Sequence, residues 1–220
     1  MNTDSIHSYM HPYVAVDGAV LRYHNGAEVL LTKRQSAPQK GAWSLPGGFL
    51  DIDKRIDHTL LEKVEKKTGV SGYYMEQLKT YDTLDRDSRG RILSVAYLAL
   101  IHNNTAAGNW FRIDGETLIG KEETIRFDDL AFDHGVILRD ALDRLSNKLW
   151  YSDLPRYLLP EQFTVREAQQ MFEEFGQQKR TSFRRYLGAR VVETGDIRTY
   201  GAEGGRPAAL LRWNNEWKGD

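Results

Sequence analysis

The stretch from Gly47 to Val70 constrains the fold more than any other part of the chain: a glycine pair, a short polar loop, then a helix defined at both ends. Ile56, Leu60, Leu61 and Val64 recur at helical spacing, and Gly69 closes the run. The glycine pair lets backbone approach another group closely. On the same helix Lys63, Lys66 and Lys67 stand three and four residues apart, which collects ammonium groups on one face. Two readings of that face stay open: a cationic surface that binds an anionic group by point charges, or a solvated face interleaved with Glu62 and Glu65.

Around this unit the first half reads as strands and turns. Tyr13 to Tyr23 is rich in Val, Ala and Leu; His24-Asn25-Gly26 is a turn signal; Glu28 to Arg34 returns. Leu93 to Ile101 is a long apolar strand, Trp110 to Ile113 a short edge strand, and His134 to Leu149 resumes helical spacing. With 40% hydrophobic and 28% charged residues, the composition is that of an ordinary soluble protein, and 220 residues suffice for one large core or two modest ones. The chain has no cysteine, which excludes disulfides and thiolate metal sites. Its histidines show no metal-ligand spacing. Met1 to Met10 is polar, with no run of signal-peptide or membrane-spanning length, so cytoplasmic residence without membrane contact is expected.

Counted from Gly48, the helix and its loop match the spacing of the Nudix box: Gly, five residues, Glu, seven residues, then Arg-Glu-hydrophobic-X-Glu-Glu-X-Gly-hydrophobic. Val64, Gly69 and Val70 fall where that family has them, but Lys54 stands for the first Glu, Glu62 for the Arg, and Lys63, Lys66 and Lys67 for the three catalytic glutamates. Val29 to Arg34, Gly41 to Phe49 and Asp85 to Arg91 also resemble the family, the last its branch acting on ADP-ribose and related sugar nucleotides. The resemblance covers roughly residues 10 to 150 and implies an α/β/α sandwich with a mixed sheet. The family's glutamates carry magnesium to a pyrophosphate. Lysine cannot, so the chain is expected not to be an enzyme and to bind without cofactor or metal. Expected ligand contacts are Arg34, Gly47, Gly48, Phe49, Lys63, Lys66, Lys67, Arg86 and Asp87. For Arg34 the competing reading is a strand-end charge, and for Gly47-Gly48 a tight turn.

Beyond Leu149 the pattern changes. Pro155 and Pro160 bracket Arg156 to Leu159 and break any helix there, which divides the chain into residues 1–152, a linker 153–162 and a module 163–220. Thr164 and Glu167 form a capping box for a helix that buries Val165, Ala168, Phe172 and Phe175 and ends at Gly176. A second helix covers about Arg180 to Ala189, and Val191 to Thr194 with Ala208 to Trp213 make a hairpin around glycine-rich sequence. Helix, turn, helix, hairpin is the order of a winged helix-turn-helix. Between Gly176 and Trp213 eight Lys and Arg face three acids, although the whole chain carries a net charge of −1. With Phe183, Tyr186 and Leu187 inward, Thr181, Ser182, Arg184 and Arg185 point outward where a recognition helix meets the major groove. Lys179, Arg206 and Thr164 complete the expected DNA contacts, Thr164 chiefly as a cap.

This segment is similar to the C-terminal domain of the NrtR-type Nudix-related transcriptional regulators: Phe163-Thr164, Ser182 to Arg185, Val192 to Gly195 and Gly205 to Ala208 match it. That resemblance implies a repressor of NAD-metabolism genes, binding double-stranded DNA at an inverted-repeat operator as a homodimer and released by ADP-ribose or a related nucleotide. The alternatives are an active ADP-ribose or nucleotide pyrophosphatase with an accessory DNA module, and a related repressor of sugar catabolism sensing a pentose or sugar phosphate.

Overall fold

In the computed structural model, which describes residues 10–72, 74–101, 107–176, 183–199 and 207–216, the apolar run Tyr13–Tyr23 forms strand β1 in the middle of a mixed sheet. β2 (Ala27–Lys33) returns antiparallel after a turn in which Asn25 takes φ +55°. Two short strands follow: β3 (Trp43–Ser44) pairs with β2 and β4 (Gly47–Phe49) with β1. Helix α1 spans Ile56–Thr68 and ends on Gly69, whose φ of +71° and N–H to the Glu65 carbonyl are those of a left-handed cap. β5 (Tyr74–Tyr81) and β6 (Ile92–Leu100) lead to β7 (Asn109–Asp114), β8 (Thr117–Ile119), β9 (Thr124–Arg126) and helix α2 (His134–Lys148). The strand order is β5-β6-β1-β2-β7-β8-β9, with β1 and β6 parallel.

β1 and β6 read as nearly unbroken apolar runs because a helix covers each face of the sheet. Val16, Val20, Val95, Tyr97 and Ala99 pack with Leu60 and Val64 of α1. The alternate positions Ala19, Leu21, Ala96, Leu98 and Leu100 pack with Ile137, Leu138, Ala141 and Leu145 of α2. The result is an α/β/α sandwich. The expected edge strand at Trp110–Ile113 is corrected: β7 lies between β2 and β8, inside the sheet. Its outer neighbours are three residues each, too short to show a period. β5 escapes sequence reading for a different reason. It is an edge strand with an irregular register between Gln77 and Lys79, so its buried Leu78 and Tyr81 fall three apart rather than two.

Residues 154–157 form a 3-10 turn that buries Leu154 and Pro155, and Leu158 and Leu159 are buried after it. Helix α3 (Val165–Gly176) opens with the expected capping box: the Glu167 N–H donates to Thr164 Oγ1 at 3.2 Å, and the Thr164 N–H donates to Glu167 Oε2 at 2.8 Å. It buries Ala168, Met171, Phe172 and Phe175. Helix α4 (Phe183–Leu187) follows, then the hairpin of β10 (Val191–Arg198) and β11 (Ala208–Trp213). Trp150, just past α2, packs on Phe172 and Tyr186 with ring centroids 4.8 and 5.1 Å away. One apolar core therefore runs from the sheet through Leu154, Leu158 and Leu159 into α3 and α4.

Candidate functional site

A pocket of about 190 Å³ opens where β4 lies against β1, beside the start of α2. β4 approaches so closely that a Cβ on Gly47 would stand 2.2 Å from the Val16 carbonyl oxygen, so only glycine fits there. Asp17 and His134 form the floor, both buried. Asp17 accepts a hydrogen bond from the Ser94 hydroxyl, and His134 Nε2 faces it at 3.6 Å. The Leu45 N–H donates to His134 Nδ1 at 2.9 Å, which fixes the neutral tautomer with its proton on Nε2. Burial pushes the His134 pKa down in agreement, against the pull of Asp17 and Asp133.

The walls are cationic and aromatic. Arg86, itself buried, grips Asp133 with Nε and Nη2 at 2.9 and 2.6 Å and so ties the β5–β6 loop to the start of α2. Asp87 accepts three hydrogen bonds from Arg89, one backbone and two guanidinium, and these hold its carboxyl below the usual range. The Arg89 guanidinium then lies 4.9 Å from the Phe49 ring and 5.7 Å from that of Phe132. Arg34 stands 4.4 Å from the same Phe132 ring and donates to the Pro38 carbonyl at 2.8 and 3.0 Å. Phe132 has φ +58°, a left-handed backbone that costs a bulky residue about 1–3 kcal/mol, and strain of this kind clusters at ligand sites.

The three box lysines separate. Lys67 lines the pocket: its ammonium donates to the Gly47 carbonyl although the residue as a whole is exposed. Burial of that ammonium pushes its pKa down; Asp17 opposes this, and Lys63 and Arg34 add to it. Lys63 passes over Gly48 to donate to Asp51 at 2.9 Å and does not line the pocket. Lys66 is exposed and also outside it, which corrects the expectation of one shared face. Glu62 pairs with Lys54 at the start of the box. A second cavity of about 500 Å³, lined also by Thr32, Lys33, Gln35 and Asn109, shares Arg34, Ser36, Ser44 and Lys67 with the first.

At the other end of the molecule Arg184 and Arg185 are exposed on α4, whose Phe183, Tyr186 and Leu187 are buried. Thr164 is buried and held by its capping box, yet it borders a surface cavity with Arg166, Gln169 and Arg184. The hairpin is anchored to α3 through Arg198 and Glu167. Lys179, Thr181, Ser182 and Arg206 lie outside the described residues.

Asp17, Arg89, Phe132 and His134 were not anticipated. Asp17 had a signal, a lone acid inside an apolar strand, and Arg89 lay within a segment already matched. Phe132 had none, since its backbone strain is invisible in sequence.

The NUDIX domain family matches residues 12–140. The chain is 34% identical over 213 residues to the ADPR responsive transcriptional repressor NtrR of Acinetobacter baylyi, covering 93% of this chain and 83% of that one. Shewanella oneidensis NrtR complexed with a 27mer DNA superposes with a TM-score of 0.71 at 32% identity, over 91% of this chain and 93% of that one. The NUDIX domain of the same protein complexed with ADP ribose gives 0.52 at 32% identity, over 65% and 94%. The protein is thus a member of the NrtR-type family of Nudix-related transcriptional repressors.

Proposed function

We propose that this protein is a DNA-binding repressor of NAD-metabolism genes whose Nudix-type domain senses ADP-ribose, and that it is not a hydrolase. The observation that carries this reading is the length of the likeness. It takes in the pocket and the C-terminal segment together, against a relative named a transcriptional repressor and against NrtR solved on DNA and, for its NUDIX domain, with ADP ribose. The pocket supports it by chemistry: aromatic rings and guanidinium groups suit a nucleotide, and desolvated cations suit its phosphates.

The magnesium that Nudix hydrolysis depends on does not fit the residues present. Lys63, Lys66 and Lys67 stand where the carboxylates belong, and lysine has no acceptor to offer a cation. Among the described residues no group of three or more His, Asp or Glu is placed to hold a metal.

In this reading residues 163–220 are a winged helix-turn-helix, with α4 as the recognition helix and β10–β11 as the wing, behind a ligand-binding unit 1–152 and a connecting segment 153–162. Arg184 and Arg185 contact bases or phosphates. A homodimer presents two copies of α4 to an inverted repeat. The protein acts in the cytoplasm, and no helix among the described residues is long and apolar enough to cross a membrane. α2 links the sites: Asp133 and His134 at its start hold the pocket, while the Leu149 carbonyl at its end accepts the Tyr186 hydroxyl at 2.8 Å. Ligand releases DNA by favouring the arrangement of α2 and α4 that fits the operator worse.

Fluorescence anisotropy on the protein's own upstream promoter tests this. Saturating ADP-ribose lowers operator affinity; an unchanged affinity sinks the sensor reading. Arg184→Ala and Arg185→Ala each weaken operator binding, by about 1–3 kcal/mol where the side chain reads a base, and leave ADP-ribose binding intact. Wild-type affinity in both variants removes α4 as the recognition helix.

A further inference from the structure

A wall of four residues separates the two cavities. Both cavities are lined by Arg34, Ser36, Ser44 and Lys67. On one side lie Phe49, Phe132 and Arg89, flat surfaces suited to a ring. On the other lie Thr32, Gln35 and Asn109, hydroxyl and amide groups suited to a sugar. A ligand with a ring at one end and a sugar at the other crosses this wall with its middle.

The charges at the wall differ in kind from those around it. Lys63 and Arg89 are already bonded to carboxylates, Asp51 and Asp87. Lys67 and Arg34 instead donate to neutral backbone carbonyls, those of Gly47 and Pro38. Burial lowers the pKa of both, the mark of cations taken from water without a matching anion in contact. An anionic group between them would restore that match. Lys67 also stands in the last turn of α1, where the helix dipole favours a cation and opposes the glutamate it replaces.

We infer that Lys67 takes over the role of the divalent cation: with Arg34 it holds the ligand's diphosphate directly, across the wall between the two cavities, so that binding needs no metal. This rests on the ADP-ribose reading above and goes beyond it by naming the phosphate subsite and removing the metal from it.

Isothermal titration of ADP-ribose into the full chain, in excess EDTA and again in millimolar magnesium, tests it. The expected result is the same Kd in both buffers. Lys67→Met, which keeps the aliphatic stem, weakens binding by about tenfold or more, and Lys67→Arg recovers most of the loss. Lys66→Met, outside the pocket, binds as wild type. Melting curves establish that each variant is folded, and the wild-type buffer comparison stands even if Lys67→Met is not. A wild-type Kd weaker by about tenfold or more in EDTA, or wild-type affinity in folded Lys67→Met, overturns the inference while leaving the sensor reading in place. No binding of ADP-ribose by the wild type in either buffer overturns both.

Discussion

A backbone N–H aimed at Nδ1 decides the charge of His134. Protonating that nitrogen would break the bond to Leu45, and burial alone already lowers the pKa. The unfolded chain still takes up its proton near pH 6.5. Below that point the unfolded state binds a proton that the native state refuses, so stability is intact above about pH 6.5 and falls as the solution is acidified toward the lowered native value, by at most about 1.4 kcal/mol per pH unit. Urea melts from pH 7.5 to 5 measure this, and in His134→Gln the slope across that window disappears; an unchanged slope assigns it elsewhere. Residues of this kind were only partly legible. Gly47, Gly48, Phe49, Arg34 and the 86–87 pair could be placed because motif spacing carries them. That Lys67 alone among three lysines reaches the pocket could not be read, since spacings of three and four look alike until the helix is rotated against β4.

Elements are legible where a local signal marks an end. α1 could be bounded from its stripe and Gly69, and α3 from its capping box. Loss of that box is measurable: Thr164→Ala costs about 1 kcal/mol, since one side-chain oxygen serves an otherwise orphaned N–H at the start of α3. Because α3 supports α4, operator binding should fall in the same variant while ADP-ribose binding holds. A melting temperature equal to wild type would show the box to be dispensable. β5, β8 and β9 were illegible for lack of period, and no propensity argument supplies it: an irregular edge strand and two strands of three residues bury too little to leave a pattern. β7 was seen but misplaced, because its interior position depends on those same unseen neighbours.

For the molecule as a whole, two sites joined by α2 must obey reciprocity. If ADP-ribose weakens operator binding by some factor, operator DNA weakens ADP-ribose binding by that same factor. Titrating ADP-ribose into the preformed operator complex and into free protein gives the two constants, and a ratio that differs from the anisotropy result would rule out a simple two-state linkage. The linker expected at residues 153–162 is the first place to look for such a change. The structure fills that stretch with buried Leu154, Leu158 and Leu159, continuous with the Trp150, Phe172 and Tyr186 cluster. A close-packed interior does not bend by degrees; it moves between discrete packings. If operator release runs through this core, its rate is limited by how often the aromatic cluster repacks. Once effector saturates the pocket, adding more cannot make the operator clear any faster.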